Sequence, residues 1–140
     1  MAPMSTLRSV PAFVLLTTLA CASEDEPEAA TMARVQQEVF DVGCNVSTCH
    51  SATAKAGDLV LEPGVAHDQL VEVPAFQQQA AAEGLIRVVP GDPDASFLIA
   101  KCRGGIESIY GEPMPWGGDA LEEDRLELLR EWILDGAPAE

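Results

Sequence analysis

Two cysteines separated by four residues, with a histidine directly after the second, constrain this chain more than any other feature. They are Cys44, Cys49 and His50, in the stretch GCNVSTCHSA. The chain holds only four cysteines and two histidines. Three side chains of this kind within seven positions must be presented together, where they can be joined to each other or to a bound group.

The compartment follows from the N-terminus. Residues 1–22 read as a secretory signal: Arg8 is the only charge before residue 24, and Val10 to Ala20 (VPAFVLLTTLA) is apolar apart from two threonines and a proline. The run is too short to span a bilayer as a helix but suits a signal-peptide core, with a buried N-terminal helix as the alternative. Cleavage fits either ACA, Ala20 to Ala22, or the lipoprotein-like TLAC, which would leave Cys21 lipidated; Thr18 stands where such signals usually carry leucine. Residues 23–30 form a short acidic linker. Outside the cytoplasm cysteines are paired or bound. Removal of the signal leaves Cys44, Cys49 and Cys102, an odd count that needs an explanation. The formal net charge is −15, and every acidic residue lies after residue 22. Such a surface repels phosphate backbones, which argues against a nucleic-acid partner, and suits a basic protein partner.

From residue 31 the pattern becomes helical. Thr31 is placed to cap a helix whose apolar residues Met32, Val35, Val39 and Phe40 form one stripe, with Gly43 suited to its end. Gly57, Pro63 and Gly64 break the next stretch into loops around an anchor at Leu59 and Leu61, with a weak helix near Val65. The stretch AFQQQAAAEG shows little period, LIRVVP reads as extended, and Asp92 or Asp94 can cap a short helix carrying Phe97, Leu98 and Cys102 on one side. EPMPWGG cannot be regular structure, and a last helix carries the stripe Leu126, Leu129, Trp132 and Ile133 before Gly136 and Pro138 stop it. The sum is an all-α domain over residues 31–140 with long loops and a thin core, which a large apolar cofactor would complete.

The familiar haem-attachment signature is C-x-x-C-H, in which two cysteine sulfurs add to the porphyrin vinyl groups and the adjacent histidine binds the iron. Here the spacing is C-x4-C-H, and His50 is placed for the iron where His67 is not. Two other readings use the same residues. One is a disulfide beside a surface histidine. The other is a zinc site drawing on Cys44, Cys49, His50 and Cys102, which asks adjacent Cys49 and His50 to bind one small ion. Cys102 reads either as a buried free thiol or as a partner for Cys44. No nucleophile is grouped with a histidine and an acid, so nothing points to a catalytic triad.

Four segments in order resemble a cytochrome c-type domain of the small exported kind found in bacterial lipoproteins and at the ends of larger bacterial proteins. They are VFDVGCNVSTCHS, AGDLVLEPG, VVPGDPDASFLIAK and GEPMPWGGDALEEDRLELLREWILDGAPA. The resemblance implies a cytochrome c-like all-α fold around one covalent haem c, held through Cys44 and Cys49, with His50 and Met114 as axial ligands. Pro113 and Pro115 would stiffen the loop that presents Met114. The wider spacing leaves one or two thioethers open, and Met114 also reads as a loop methionine filling an apolar gap. The expected function is an exported monohaem c-type cytochrome, an electron carrier and not an enzyme. It would reside in the periplasm or cell envelope, reach a membrane only through a lipid on Cys21, and dock a redox partner with a basic surface. The alternative is a haem-free binding or structural module of the same fold with disulfide-bonded cysteines.

Overall fold

The computed structural model describes residues 28–140. The signal segment 1–22, Cys21 and most of the linker lie outside the described residues. The order is α1 (Met32–Val35), continued without a break as a π-helix (Gln36–Cys44); α2 (Ala66–Leu70); α3 (Gln78–Ala82); α4 (Phe97–Cys102); and α5 (Glu123–Leu134). Two 3₁₀ turns, Ala56–Asp58 and Ser108–Tyr110, stand in the loops. The described residues are all-α, with helices and no strand beyond isolated bridges.

Thr31 starts the first helix as its residue type predicts, its hydroxyl accepting from the Arg34 amide at 3.3 Å. Gly43 does not end it. The helix widens after Val35 and runs to Cys44, where the Asn45 amide reaches back five residues to the Phe40 carbonyl at 3.1 Å. Ahead of the helix, Ala30 is buried in the core, and Arg34 ties down the carbonyls of Glu28 and Ala29.

The first and last helices pack on each other, and α4 packs on α5. Their stripes build the main core around Val35, Val39, Phe40, Leu129, Trp132 and Ile133. Trp132 is fully buried, and its indole N–H donates to the Pro138 carbonyl at 2.9 Å, so burying the large ring leaves no polar atom unpaired. No helix among the described residues is long and apolar enough to cross a membrane.

The middle of the chain departs from its sequence reading in two places. Helix α3 lies where little period shows, because only Ala80 of it is buried and its N-terminus rests on a polar cap, Gln77 Oε1 accepting from the Ala80 amide at 2.8 Å. Asp92 caps a turn and not a helix: it accepts from the Ala95 amide at 3.0 Å, the chain turns once more, and α4 starts at Phe97. In α4, Leu98 and Cys102 face the main core, whereas Phe97 joins a smaller cluster with Ala75 and Ala80. The LIRVVP segment is extended, Ile86 bridging to both Pro74 and Ser96 and Val88 to Val71.

Candidate functional site

The end of the π-helix delivers Cys44 to the edge of the main core. Its thiol points back along the helix and donates to the Val39 carbonyl at 3.5 Å. Burial pushes this thiol up to about 11, with Cys49 adding to the rise and Arg125 opposing it. The four residues between the cysteines close on themselves. The Cys49 amide donates to the Val46 carbonyl at 2.9 Å, and the His50 amide donates to the Cys44 carbonyl at 3.0 Å. The two extra residues are therefore absorbed in an inner turn, and His50 returns to the helix end. Cys49 is half-buried, its sulfur 3.7 Å from the Thr48 hydroxyl.

Downstream chain then fixes the histidine. The Ala56 amide bonds the Cys49 carbonyl at 3.0 Å, and the Leu61 amide bonds the His50 carbonyl at 2.7 Å. The Leu61 carbonyl in turn accepts from Gln36 Nε2 at 2.8 Å, and Gln36 and Asn45 both donate to Asp41 Oδ1 at 2.6 Å. Helix, cysteine loop and the Leu61 segment are thus stitched together by polar groups on all three. The sequence reading missed this brace, because Gln36, Asp41 and Asn45 carry no motif; their spacing of five and four along one helix was the available signal.

The His50 ring is half-buried. Nδ1 is buried and makes no hydrogen bond. Burial lowers the pKa of the ring; the nearby backbone of Leu59 and Ala56 opposes that, and the charge of Arg87 adds to it. A histidine with a lowered pKa is neutral at neutral pH and keeps a lone pair for a metal. A proton on Nδ1, facing the backbone, would leave that lone pair on Nε2.

Met114 and Cys102 reach the same core from α4 and the loop after it. Met114 is half-buried against the main cluster, as is Cys44. Its amide donates to the Lys101 carbonyl at 2.8 Å, and the Leu121 amide donates to the Cys102 carbonyl at 2.9 Å, so the Met114 loop is pinned at both ends to the end of α4. The Lys101 ammonium adds bonds to the carbonyls of Tyr110 and Glu112. Gly104 makes the turn possible: its φ is +78°, and a Cβ there would meet Ala120 Cβ at 3.1 Å. Trp116, next to Pro115, is 75% exposed. Cys102 is buried, and burial pushes its thiol up to about 12, Cys44 adding to the rise and Lys101 opposing it.

Cys44, Cys49 and Cys102 are all free thiols, so neither the Cys44–Cys49 nor the Cys44–Cys102 disulfide is formed. Among the described residues no three His, Cys, Asp or Glu side chains gather where they could hold a metal ion. His67 is engaged elsewhere. Its Nε2 donates to the Ala137 carbonyl at 3.0 Å, and the ring stands edge-on to Trp132 at 6.4 Å. Met32 is buried in the core. Of the candidate ligands, His50 has a buried ring nitrogen without a partner, and Met114 is held on a braced loop over the same core as Cys44. Comparisons with protein-family models, with curated proteins and with solved structures found no match.

Proposed function

We propose that this protein is an exported monohaem c-type cytochrome with a cytochrome c-like fold, carrying single electrons between protein partners. The observation that carries the reading is His50, directly after Cys49: its ring is half-buried and its Nδ1 is buried and unpaired. A buried ring nitrogen without a partner is costly in a histidine that serves packing alone, which supports a role for this ring as a ligand.

Cys44 and Met114 pack against the same cluster, and the motif joins Cys49 and His50 to Cys44. Cys44 and Cys49 would supply the thioether sulfurs, and His50 and Met114 would hold the iron. Bound haem supplies an iron that accepts and returns one electron. The chain's residues set the conditions for that exchange. With His50 and Met114 both holding the iron, no position would remain for a substrate, which favours electron carriage over catalysis. The Leu61 brace holds His50 by its carbonyl, and the α4 anchor holds Met114 by its amide, so neither ligand has far to move when charge at the site changes. Half-buried apolar residues at the edge of the core, among them Leu59, Leu98 and Leu121, offer a low-dielectric wall.

In the haem-free fold Cys44 is half-buried with a raised pKa, which makes it a poor nucleophile and favours attachment before the helix end closes on the core. The N-terminal sequence supports residence in the periplasm or cell envelope, with a tether through Cys21 if that residue is lipidated. A net charge of −15 selects a redox partner with a basic docking surface.

Expression with a haem-maturation system tests this directly. Intact-mass measurement of the denatured protein should show one haem added, and peptide mapping should place it on the Cys44–Cys49 segment. Three unmodified thiols in that protein, or a Cys44–Cys49 disulfide, would sink the proposal in favour of a haem-free module.

A further inference from the structure

Arg87 is the one charged residue of the extended LIRVVP run, and only 8% of it is exposed. Its guanidinium donates to three backbone carbonyls: Gln69 at 2.8 Å, Asp58 at 3.0 Å and Gly57 at 3.3 Å. No carboxylate lies within ion-pair distance of it among the described residues. A buried charge held by carbonyl dipoles alone is costly, and burial lowers the Arg87 pKa even against the pull of Asp58. An arginine kept in such a place has a use for its fork and its charge.

The fork grips one particular segment. Gly57 and Asp58 lie between Ala56 and Leu59, whose backbone faces the buried side of the His50 ring. The same segment bonds the cysteine loop through the Ala56 amide and the His50 carbonyl through Leu61. Gly57 and Asp58 both sit at positive φ, +64° and +50°. For the aspartate this is a left-handed conformation that the surrounding contacts must hold.

We propose that Arg87 is a positioning residue of the redox site, clamping segment 56–59 behind His50 and setting a fixed positive charge beside the ligand. The clamp stands on the hydrogen bonds alone; the role of the charge rests on the haem reading given above. A fixed cation near the iron disfavours the more positive ferric state and so raises the midpoint potential. A tenfold change in a one-electron equilibrium is about 59 mV, and a shift of that order is what the fixed charge would supply.

Two variants and two readouts separate the parts. Arg87→Gln removes charge and fork; Arg87→Lys keeps the charge and loses the fork. In the haem-free protein, amide hydrogen exchange at Ala56 and Leu61 should quicken at least tenfold in both variants, with the amides of α5 unchanged. In the haem-bearing protein, Arg87→Gln should lower the midpoint potential by about 59 mV, and Arg87→Lys should stay near the parent value. Unchanged exchange at Ala56 and Leu61 refutes the clamp, and an unchanged potential in Arg87→Gln refutes the charge. If Arg87→Gln does not fold, Arg87→Lys decides the clamp by its exchange, and Arg87→Met, which removes the charge and keeps an apolar stem, decides the charge by its potential. If the parent protein takes up no haem, the functional reading and the charge role fail together, and the exchange measurement still decides the clamp.

Discussion

Thiol reactivity tests the site most closely, because the three cysteines are set apart by their surroundings. The perturbation is pH and the probe is iodoacetamide, which reacts with the thiolate. A raised pKa keeps a thiol protonated at a given pH and slows it. At pH 8, a thiol at about 11 is ionised in roughly one molecule in a thousand, and one at about 12 in roughly one in ten thousand, against about a quarter for an unperturbed thiol. In the folded haem-free protein Cys44 should therefore alkylate at least about a hundredfold more slowly than an unperturbed thiol, and Cys102 more slowly still. Half-buried Cys49 should be modified first. The Cys44 rate should climb about tenfold per pH unit up to about pH 11, and denaturant should remove the differences. The assay is a time course of intact and peptide masses. Cys44 labelled as fast as Cys49 at pH 8 in folded protein would refute the buried placement of the helix end. The same reagent on denatured, haem-bearing protein counts thioethers: one reactive cysteine for two bonds, two for one, and three for none.

Replacing Met114 by alanine should abolish the weak near-infrared band of His–Met ferric haem, lower the potential and open the iron to carbon monoxide. An unchanged spectrum and potential would remove Met114 from the site. Trp132→Ala should cost the haem-free protein about 3–5 kcal/mol in denaturant unfolding, since it empties the centre of the core and strips the Pro138 carbonyl of its donor. A loss under about 1 kcal/mol would mean that α1 and α5 do not meet there as described.

The two end helices were legible because each buries a stripe: Met32, Val35, Val39 and Phe40 in one, Leu126, Leu129, Trp132 and Ile133 in the other. Periodicity reports burial, so it is silent where a helix rests on polar caps, as α3 does on Gln77 and on the Tyr110 hydroxyl that meets Glu83 at 2.7 Å. The start of α4 was misplaced for a related reason. Asp92 and Pro93 form a true turn signal, but Ser96 adds a second turn by donating to the Asp92 carbonyl at 2.8 Å and accepting from the Val89 amide at 2.9 Å. Cys44, Cys49, His50 and Met114, the residues proposed for the site, stood out in the sequence by type and spacing. Arg87 was legible only as an oddity, a charge inside an apolar run, because its three partners are backbone carbonyls and leave no mark in the sequence.

That difference bears on how four residues can stand between the cysteines while His50 stays at the helix end. In a chain where the cysteines alone fixed His50, two added residues would move the ring off the helix end. Here the main chain fixes it: the His50 amide reaches the Cys44 carbonyl across the whole loop, and the His50 carbonyl is taken by Leu61, whose own carbonyl is held by Gln36 on the helix. Residues inserted between Cys44 and Cys49 fall inside that closed circuit and need only turn on themselves, as Val46 to Cys49 do. The loop can vary in length while the ring stays put, so long as Gln36, Leu61 and the segment gripped by Arg87 remain. The side chains that tolerate the unusual motif are therefore outside it.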